Sequence, residues 1–301
     1  MHNDDIGGFV TFARVVEQES FTGAAEAMGI SKSAVSKQVA RLEETLGVRL
    51  LNRTTRKLQV TEAGRVFYER CRRIVDEVEE ARAAVTSLQA SPRGVLRITA
   101  PVSYGLLHLS KLLPAFMQRY PDLRVDLGLA DRKVDLLAEG IDVAVRIGQM
   151  VDSSLVAKKI TDFPRIVAAT PSYWDANGRP ETPDDLGRHN CFIYEYLPQG
   201  DQWEFRDPQS AAAIRVRVSG KLSSNNGDIL LRAAEQGQGV SWIPGFFIDR
   251  QIKDGVLEEV LADYQAEPVG LYAVFPHSRH LPTKTRAFVD YLVEAIRGKA
   301  D

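Results

Sequence analysis

The sequence predicts two halves of different class: an all-α N-terminal segment with one β-hairpin and a long closing helix, then an α/β segment built as two lobes. Three observations predict it. Apolar residues recur at helical spacing through most of residues 6–88. From residue 94 onward, short β-rich runs alternate with helical ones. Between them, Ala90-Ser91-Pro92-Arg93-Gly94 stops the helical pattern, because proline disfavours helix in the residue before it and glycine loosens the chain.

The first helix is read over residues 6–17, with Ile6, Phe9, Val10, Ala13 and Val16 on one face. Ser20 offers a cap for a short second helix, Phe21 to Met28, whose Ala24, Ala25 and Ala27 permit a close crossing. Gly29 supplies the left-handed turn, and Ser31 caps a third helix that runs to Leu46 and ends at Gly47. That helix turns Val35, Val39, Leu42 and Leu46 inward. At ~100° per residue, Ser33, Ser36, Lys37 and Arg41 then point outward, with Lys32 and Gln38 on the flanks. Two helices and a glycine-containing turn of three residues make a helix-turn-helix layout. Hydroxyls, an amide and cations on the second helix suit base edges and phosphates of a major groove, and Ser31, Lys32, Ser33, Ser36, Lys37, Gln38 and Arg41 are its candidate contacts.

Arg49-Leu50-Leu51 and Leu58-Gln59-Val60 read as two short strands around a polar, cationic tip, Asn52 to Lys57. Such a hairpin directly after the second helix is a wing, and Arg53, Thr54, Arg56 and Lys57 are its candidate contacts to a phosphate backbone or minor groove.

Thr61 starts the long helix, with Glu62 favoured in its first turn by the helix dipole. Phe67, Cys71, Ile74, Val78, Ala81, Val85 and Leu88 follow at alternating steps of four and three, an a/d seam on an otherwise charged helix. Its expected partner is the same helix of a second subunit, and a dimer would place two recognition helices on half-sites about 34–36 Å apart in a roughly palindromic duplex. Cys71 lies on the seam and reads as a small apolar group.

Charge agrees with this order. Residues 31–73 hold eleven Lys/Arg against four acids, in a chain whose net charge is only -2. A local basic block of that kind is the footprint of a phosphate-facing surface. Composition, 44% hydrophobic and 26% charged over 301 residues, is that of an ordinary globular chain of about two domains. No apolar run reaches the ~18 residues of a membrane helix. Asp4 and Asp5 stand where a signal peptide would be basic, and two cysteines far apart give neither a disulfide framework nor metal spacing, so a reducing cytoplasm is the expected compartment.

These residues carry a family resemblance. The run Phe21-Thr22-Gly23-Ala24-Ala25-Glu26-Ala27-Met28-Gly29-Ile30-Ser31-Lys32-Ser33-Ala34-Val35-Ser36-Lys37-Gln38-Val39-Ala40-Arg41-Leu42-Glu43 resembles the N-terminal domain of LysR-type transcriptional regulators. So do Leu46-Gly47-Val48-Arg49-Leu50-Leu51-Asn52-Arg53 and Leu58-Gln59-Val60-Thr61-Glu62-Ala63-Gly64. Lys32 departs from the family, which more often has glutamine there. The resemblance covers essentially the whole chain. It implies a bacterial activator or repressor: a winged helix-turn-helix domain (residues 1–60), a linker and dimerisation helix (61–90), and a periplasmic-binding-protein-like effector domain (91–301). Lobe one of that domain would be 94–163 with 268–301 and lobe two 164–267, with Pro164 and Pro268 at the crossovers. The implied partners are double-stranded DNA, a small-molecule effector, a second copy in a homodimer, two more in a homotetramer, and RNA polymerase. No cofactor and no membrane are implied.

The residues of the second half support an α/β reading on their own. Strands are expected at Val95–Ala100, Leu123–Leu129, Ile141–Ile147, Ile166–Ala169, Phe192–Tyr194, Ile214–Val218, Val240–Ile243 and Val269–Phe275. Helices are expected at Leu106–Tyr120, Val134–Gly140, Ile229–Gln236 and Thr285–Ile296, and the sheet is expected to be rich in parallel pairs. Ligands of such sheets sit beyond the carboxyl ends of strands, at helix N-termini. That rule selects Pro101, Val102 and Ser103, Arg146, Thr170 (with Pro171 opening a helix), Ser224, Asn225 and Asn226, and Phe275. The resemblance matches Ser103, Arg146 and Thr170 to the family's effector cleft. Arginine offers a fork for a carboxylate, so a small organic or aromatic acid is the expected effector. A structural ion pair is the competing role for Arg146, and a plain helix cap for Thr170.

Other chemistries are poorly served. Gly239-Val240-Ser241-Trp242-Ile243 has isoleucine where a nucleophile elbow requires glycine. His277 and His280 have no adjacent acid, and Gly237-Gln238-Gly239 lacks the third glycine of a dinucleotide fingerprint. The chain is therefore expected not to be an enzyme. A solute-binding or transport component is the other alternative, and the basic block with no export signal argues against it.

Overall fold

The computed structural model describes residues 3–53, 58–72, 74, 91–148, 155–264, 266–276 and 281–298. The chain divides into two compact units, Met1–Ser91 with Ala138–Gly140, and Pro92–Leu137 with Ile141–Asp301.

In the first unit, α1 (Asn3–Glu17), α2 (Phe21–Met28) and α3 (Lys32–Leu46) precede the hairpin strands β1 (Leu51–Arg53) and β2 (Leu58–Val60). The capping chemistry sets each boundary. Ser20 accepts from the N–H groups of Thr22 and Gly23, and Gly29 closes α2 at φ 67°, a left-handed conformation that costs glycine little. Ser31 accepts from Ala34 N at 3.1 Å and opens α3, which Gly47 ends at φ 68°. The core is Phe12, Ala13, Val15, Ala24, Ala25, Val35, Val39, Leu42, Leu50, Leu51 and Cys71. Burying each of its larger side chains contributes about 1.5–3 kcal/mol before entropy.

Three expectations are corrected here. The buried stripe of α1 is Phe12, Ala13 and Val15, with Phe9, Val10 and Val16 only half-buried. A single-face pattern misreads a helix packed both against α3 and against Phe67. Leu46 is 38% exposed and not part of the core. The first wing strand begins at Leu51, two residues later than expected. The reason is that the N–H groups of Leu50 and Leu51 are taken by Glu43 Oε1, and Leu50 O accepts from Thr61 N, so ladder pairing runs only through Leu51–Val60, Asn52–Gln59 and Arg53–Leu58.

Thr61 caps the next helix, α4 (residues 62–72), by accepting from Gly64 N at 2.9 Å. A Cβ on Gly64 would meet Leu50 O at 2.1 Å, so glycine is needed for this helix to start against the wing.

The second unit begins with β3 (Gly94–Ala100), α5 (Val102–Tyr104), a π segment (Gly105–Leu109), α6 (Ser110–Arg119), β4 (Leu123–Leu129), β5 (Val143–Ile147) and β6 (Leu155–Phe163). It continues through β7 (Arg165–Ala169), α7 (Pro171–Asn177), β8 (Ile193–Tyr194), β9 (Gln202–Arg206), β10 (Ala213–Arg217), β11 (Ser223–Ser224), α8 (Gly227–Glu235), β12 (Ser241–Pro244), α9 (Gly245–Lys253) and β13 (Glu258–Val260). β14 (Val269–Pro276) and α10 (Thr283–Arg297) close it.

One lobe carries a five-stranded sheet in the order β4-β3-β5-β14-β6. Its core joins Leu96, Ile98, Val143, Val145, Leu271 and Ala273 to Leu109 and Phe116 on one side and Phe288 and Leu292 of α10. The other lobe carries the sheet β12-β7-β13 and the ribbon β10-β9, over a core that includes Trp174, Trp203 and Trp242.

The parallel-rich expectation holds for β4, β3 and β5 and for the short pair β8 and β11. β14 is antiparallel to both its neighbours, and β12 and β13 are antiparallel to β7. The helix expected at Val134–Gly140 is a series of turns, since Asp135 Oδ1 accepts from Leu137 N and Gly140 has φ 62°. The helix expected from Leu106 begins instead at Val102. β6, β9, β11, β13 and α9 are additions to the expected elements.

Candidate functional site

Two groups of residues stand out, one in each unit. In the first, α3 is an amphipathic rod. Val35 and Val39 are fully buried, while Lys32, Ser33, Lys37, Gln38 and Arg41 are exposed and Ser36 is half-buried. Ser31 divides its hydroxyl between the Ala34 N–H and Ser33 Oγ at 2.9 Å, so the helix starts on an ordered pair of hydroxyls. The first acid on the helix, Glu43, faces away from this surface and holds the wing strand. In α1, buried Thr11 reaches across to Gln38. Of the wing contacts, Arg53 is placed on β1 by its backbone, and Thr54, Arg56 and Lys57 lie outside the described residues.

The seam assigned to dimerisation divides. Phe67 packs on Phe9 (ring centroids 5.4 Å, 86°) and Phe12 (5.7 Å), and Cys71 is fully buried in the same core. Both serve the first unit's own interior, which corrects their assignment to a partner. The physical reason is that α4 opens as the lid of the helix-turn-helix core, so its first heptad is spent there. Burial pushes the Cys71 thiol up to about 12, in keeping with an apolar role. Ile74 is half-buried, and Val78, Ala81, Val85 and Leu88 lie outside the described residues.

In the second unit, a polar group ties the two lobes together. Ser103, in α5, donates through Oγ to Asp228 Oδ2 at 2.5 Å. Asp131, just past β4, accepts from Val102 N at 3.0 Å and from Asn226 Nδ2 at 3.2 Å. Asn226 in turn caps α8, accepting through Oδ1 from Asp228 N, while its own N–H donates to Ser224 Oγ. Asn225 is exposed beside it and Pro101 half-buried. The strand-end rule therefore brings Pro101, Val102, Ser103, Ser224, Asn225 and Asn226 together. Sequence reasoning misses Asp131 and Asp228, although the same rule has the means to find both. Asp131 stands two residues beyond the end of β4, and Asp228 lies in the first turn of α8.

An aromatic wall flanks this group. Tyr104 stacks on His108 (4.9 Å, 17°) and meets Phe246 edge-on at 5.5 Å. Phe246 contacts Phe163 and Phe247, and a Cβ on Gly227 would lie 2.8 Å from the Phe247 ring. Burial, then the nearby Asp131 charge, raises the Tyr194 phenol and keeps it protonated.

Three other candidates remain. Thr170 accepts from Tyr173 N at 3.2 Å and caps α7, beside Gly237. Gly237 follows the C-terminal end of α8, a nine-residue helix about 13 Å long, whereas Asn226 caps its start. Arg146 lies near the carboxyl end of β5, opposite Tyr272 in register and on the face that carries Ala144. Phe275 is a correction. β14 runs antiparallel to β5, so its carboxyl end lies where β5 begins, and Phe275 is 8% exposed within the sheet's core. The carboxyl-end rule applies to parallel strands and misleads here.

Among the residues weighed for other chemistry, Ser241 is buried and its hydroxyl donates to Leu230 O, and His277 and His280 lie outside the described residues. Cys191 is buried, and its thiol is pushed up to about 12. No helix among the described residues is long and apolar enough to cross a membrane.

Comparison with known proteins places these features. Residues 7–65 match the family described as bacterial regulatory helix-turn-helix protein, lysR family, and residues 89–297 match the LysR substrate binding domain. The chain is 40% identical over 281 residues to an uncharacterized HTH-type transcriptional regulator of Haemophilus influenzae, covering 93% of this chain and 97% of that one. It is 38% identical to the transcriptional regulator PtxR of Pseudomonas aeruginosa (95% and 91% covered) and 35% identical to the transcriptional activator AaeR of Escherichia coli (94% and 92%). Among solved structures it is similar to CrgA, a LysR-type transcriptional regulator from Neisseria meningitidis (32% identity, TM-score 0.61, 96% and 98% covered). It is likewise similar to the full-length Vibrio cholerae virulence activator AphB (28% identity, TM-score 0.58, 97% and 99% covered).

Proposed function

The chain belongs to the lysR family of bacterial regulatory helix-turn-helix proteins and is a DNA-binding transcription regulator modulated by an effector, and from that premise we propose how its residues divide the work. α3 enters a major groove and reads it through Ser31, Lys32, Ser33, Ser36, Lys37, Gln38 and Arg41. The wing residues Arg53, Thr54, Arg56 and Lys57 hold flanking phosphates. The protein acts in the cytoplasm as a homodimer on a roughly palindromic site, joined by the part of the long helix that follows Cys71. Pairs of dimers form the tetramer, and RNA polymerase is the partner when it activates. DNA binding accounts for the side-chain chemistry of the first unit without any catalytic step.

The observation that carries this reading is the exposed surface of α3, which bears cations, hydroxyls and an amide and holds no acid before Glu43. Lys37 and Arg41 together reversed to glutamate should abolish binding to the regulator's own upstream DNA. Each copy then has two fewer cations on the phosphates, and the salt dependence of any remaining binding should flatten by roughly 0.9 per phosphate no longer neutralised. Unchanged affinity in a gel-shift or anisotropy titration would sink the assignment of α3.

The effector site is the interlobe group around Ser103, Asp131, Asn226 and Asp228, with the aromatic wall beside it. Its two carboxylates bear on the effector's chemistry. A small acid fits if its anionic end lies toward Arg146 and its hydroxyl or amine donors face Asp131 and Asp228. An effector with donors can replace the hydrogen bonds that now link the lobes, and that exchange gives binding a way to alter their closure.

A further inference from the structure

Thr11 carries one hydroxyl proton and sits between two carbonyl positions. Its Oγ1 lies 2.8 Å from Gly7 O, one turn back in α1, and also against the Oε1 position of Gln38 in α3. Thr11 is fully buried, so no water completes its bonding, while Gln38 is exposed at the surface of α3. One proton cannot serve two acceptors. The i−4 carbonyl is the ordinary acceptor for a helical threonine, and it has no other freedom to move. The two ends of a carboxamide have the same shape, so which end faces Thr11 is settled by counting hydrogens. Only with the amide nitrogen toward Thr11 is every group satisfied: Thr11 donates to Gly7 O and accepts from Gln38 Nε2.

We propose that Thr11 is a positioning residue for base recognition, holding the Gln38 amide so that its carbonyl and its second N–H are presented together to the groove. That edge, one acceptor beside one donor, is complementary to the N6 donor and N7 acceptor of adenine. A freely rotating glutamine would have to be ordered on each binding event, whereas this one is ordered by the helix packing behind it. Specificity at one base pair is thus written partly in α1, which need not touch the bases at all. The proposal rests on the reading that α3 enters the groove, and Arg41 and Lys37 neighbour Gln38 on the same exposed surface.

The test uses the full-length protein and a library of randomised duplexes, comparing the bases enriched by wild type and variants. Wild type tests the groove reading by itself, since enrichment of a defined site is expected whether or not Thr11 matters. Gln38→Ala should lose discrimination for A·T at one position per half-site by roughly tenfold. Thr11→Val should lose it at that same position, and Thr11→Ser, which keeps the hydroxyl, should retain it. Gln38→Glu keeps an oxygen toward Thr11 but has no N–H to donate, so it should behave like Gln38→Ala. Circular dichroism and melting show whether Thr11→Val is folded, and where it is not, Thr11→Ala, which removes the hydroxyl without placing a new methyl against Gln38, decides on the same readout. An enrichment profile for Thr11→Val that matches wild type overturns the proposal. So does A·T preference surviving in Gln38→Glu, because a carboxylate has no N–H for adenine N7 and the preference would then not come from this side chain.

Discussion

The carboxylate of Glu43, in the last turns of α3, accepts the backbone N–H of Leu50 at 2.8 Å and that of Leu51 at 2.9 Å through the same oxygen. One side chain thereby fixes where the hairpin leaves α3. Two backbone donors at the start of β1 would otherwise be left without an acceptor, and a hydrogen bond to a charged group contributes more than a neutral one. Glu43→Ala should lower the stability of the first unit by about 2 kcal/mol in urea unfolding. Glu43→Gln, which keeps an oxygen in place, should lose less than half of that. In the surviving folded protein, Glu43→Ala should also bind DNA with a shallower salt dependence, since the wing is no longer held toward the phosphates. An unchanged salt slope would mean that the hydrogen bonds shape the fold and not the wing's approach.

Phe67 and Ile74 lie on one predicted stripe yet should fail in different ways. Phe67 fills the space between Phe9 and Phe12, so Phe67→Ala should destabilise the first unit by about 2–3 kcal/mol, the lower part of the range for an aromatic core residue because it is only half-buried. The dimer should persist in sedimentation at temperatures where the variant is folded. Ile74→Asp should do the reverse, giving folded monomers. A Phe67→Ala monomer with native melting would return that residue to the interface.

The contrast shows where the sequence can be read and where it cannot. Periodicity finds every described helix of the first unit, because capping residues such as Ser20, Ser31 and Thr61 mark starts through local hydrogen bonds. It does not say which protein surface each apolar stripe meets, and so it assigns Phe67 and Cys71 to a partner. In the second unit, Ser103 and Asn226 are legible because they follow strands and open helices. Asp131 and Asp228 stand at equally readable strand-end and helix-start positions, but which groups they hold is not legible, because that depends on two lobes meeting across more than ninety residues of chain. Phe275 fails because strand direction, which decides which sheet edge is the carboxyl edge, is not written in the strand's own residues.

Cys71 and Cys191 supply a pH test with a defined sign. Burial raises both thiols to about 12, so folding favours the protonated form. A group raised on folding contributes its stability below the unfolded value, about 8.5 for a thiol, and loses it as pH climbs toward the folded one. Stability should therefore fall between roughly pH 8.5 and 12, and less steeply in a Cys71→Ala, Cys191→Ala double variant once its lower starting stability is allowed for. At a pH of about 8, below the usual thiol value, both native thiols should resist iodoacetamide, whose target is the thiolate, and react once the chain is unfolded in urea. Rapid labelling of native Cys191 would show that its surroundings open far more often than the packing implies.

Ser103 and Arg146 divide the proposed effector site between them, and their variants should separate two steps. Ser103→Ala removes the donor to Asp228 and with it one of the two hydrogen-bonded links between the lobes described above. Hydrogen exchange around α5 and the start of α8 should quicken in the effector-free protein, while DNA affinity of the first unit is kept. Arg146→Ala leaves those links intact. It should lose response to an acidic effector identified by a thermal-shift screen, by roughly 10–100-fold in apparent affinity for a charge-assisted fork of about 1.5–3 kcal/mol. If effector titrations of Arg146→Ala match wild type while Ser103→Ala shifts them, the ligand is held by the carboxylate acceptors of the interlobe group alone, and an acid is the wrong chemical class.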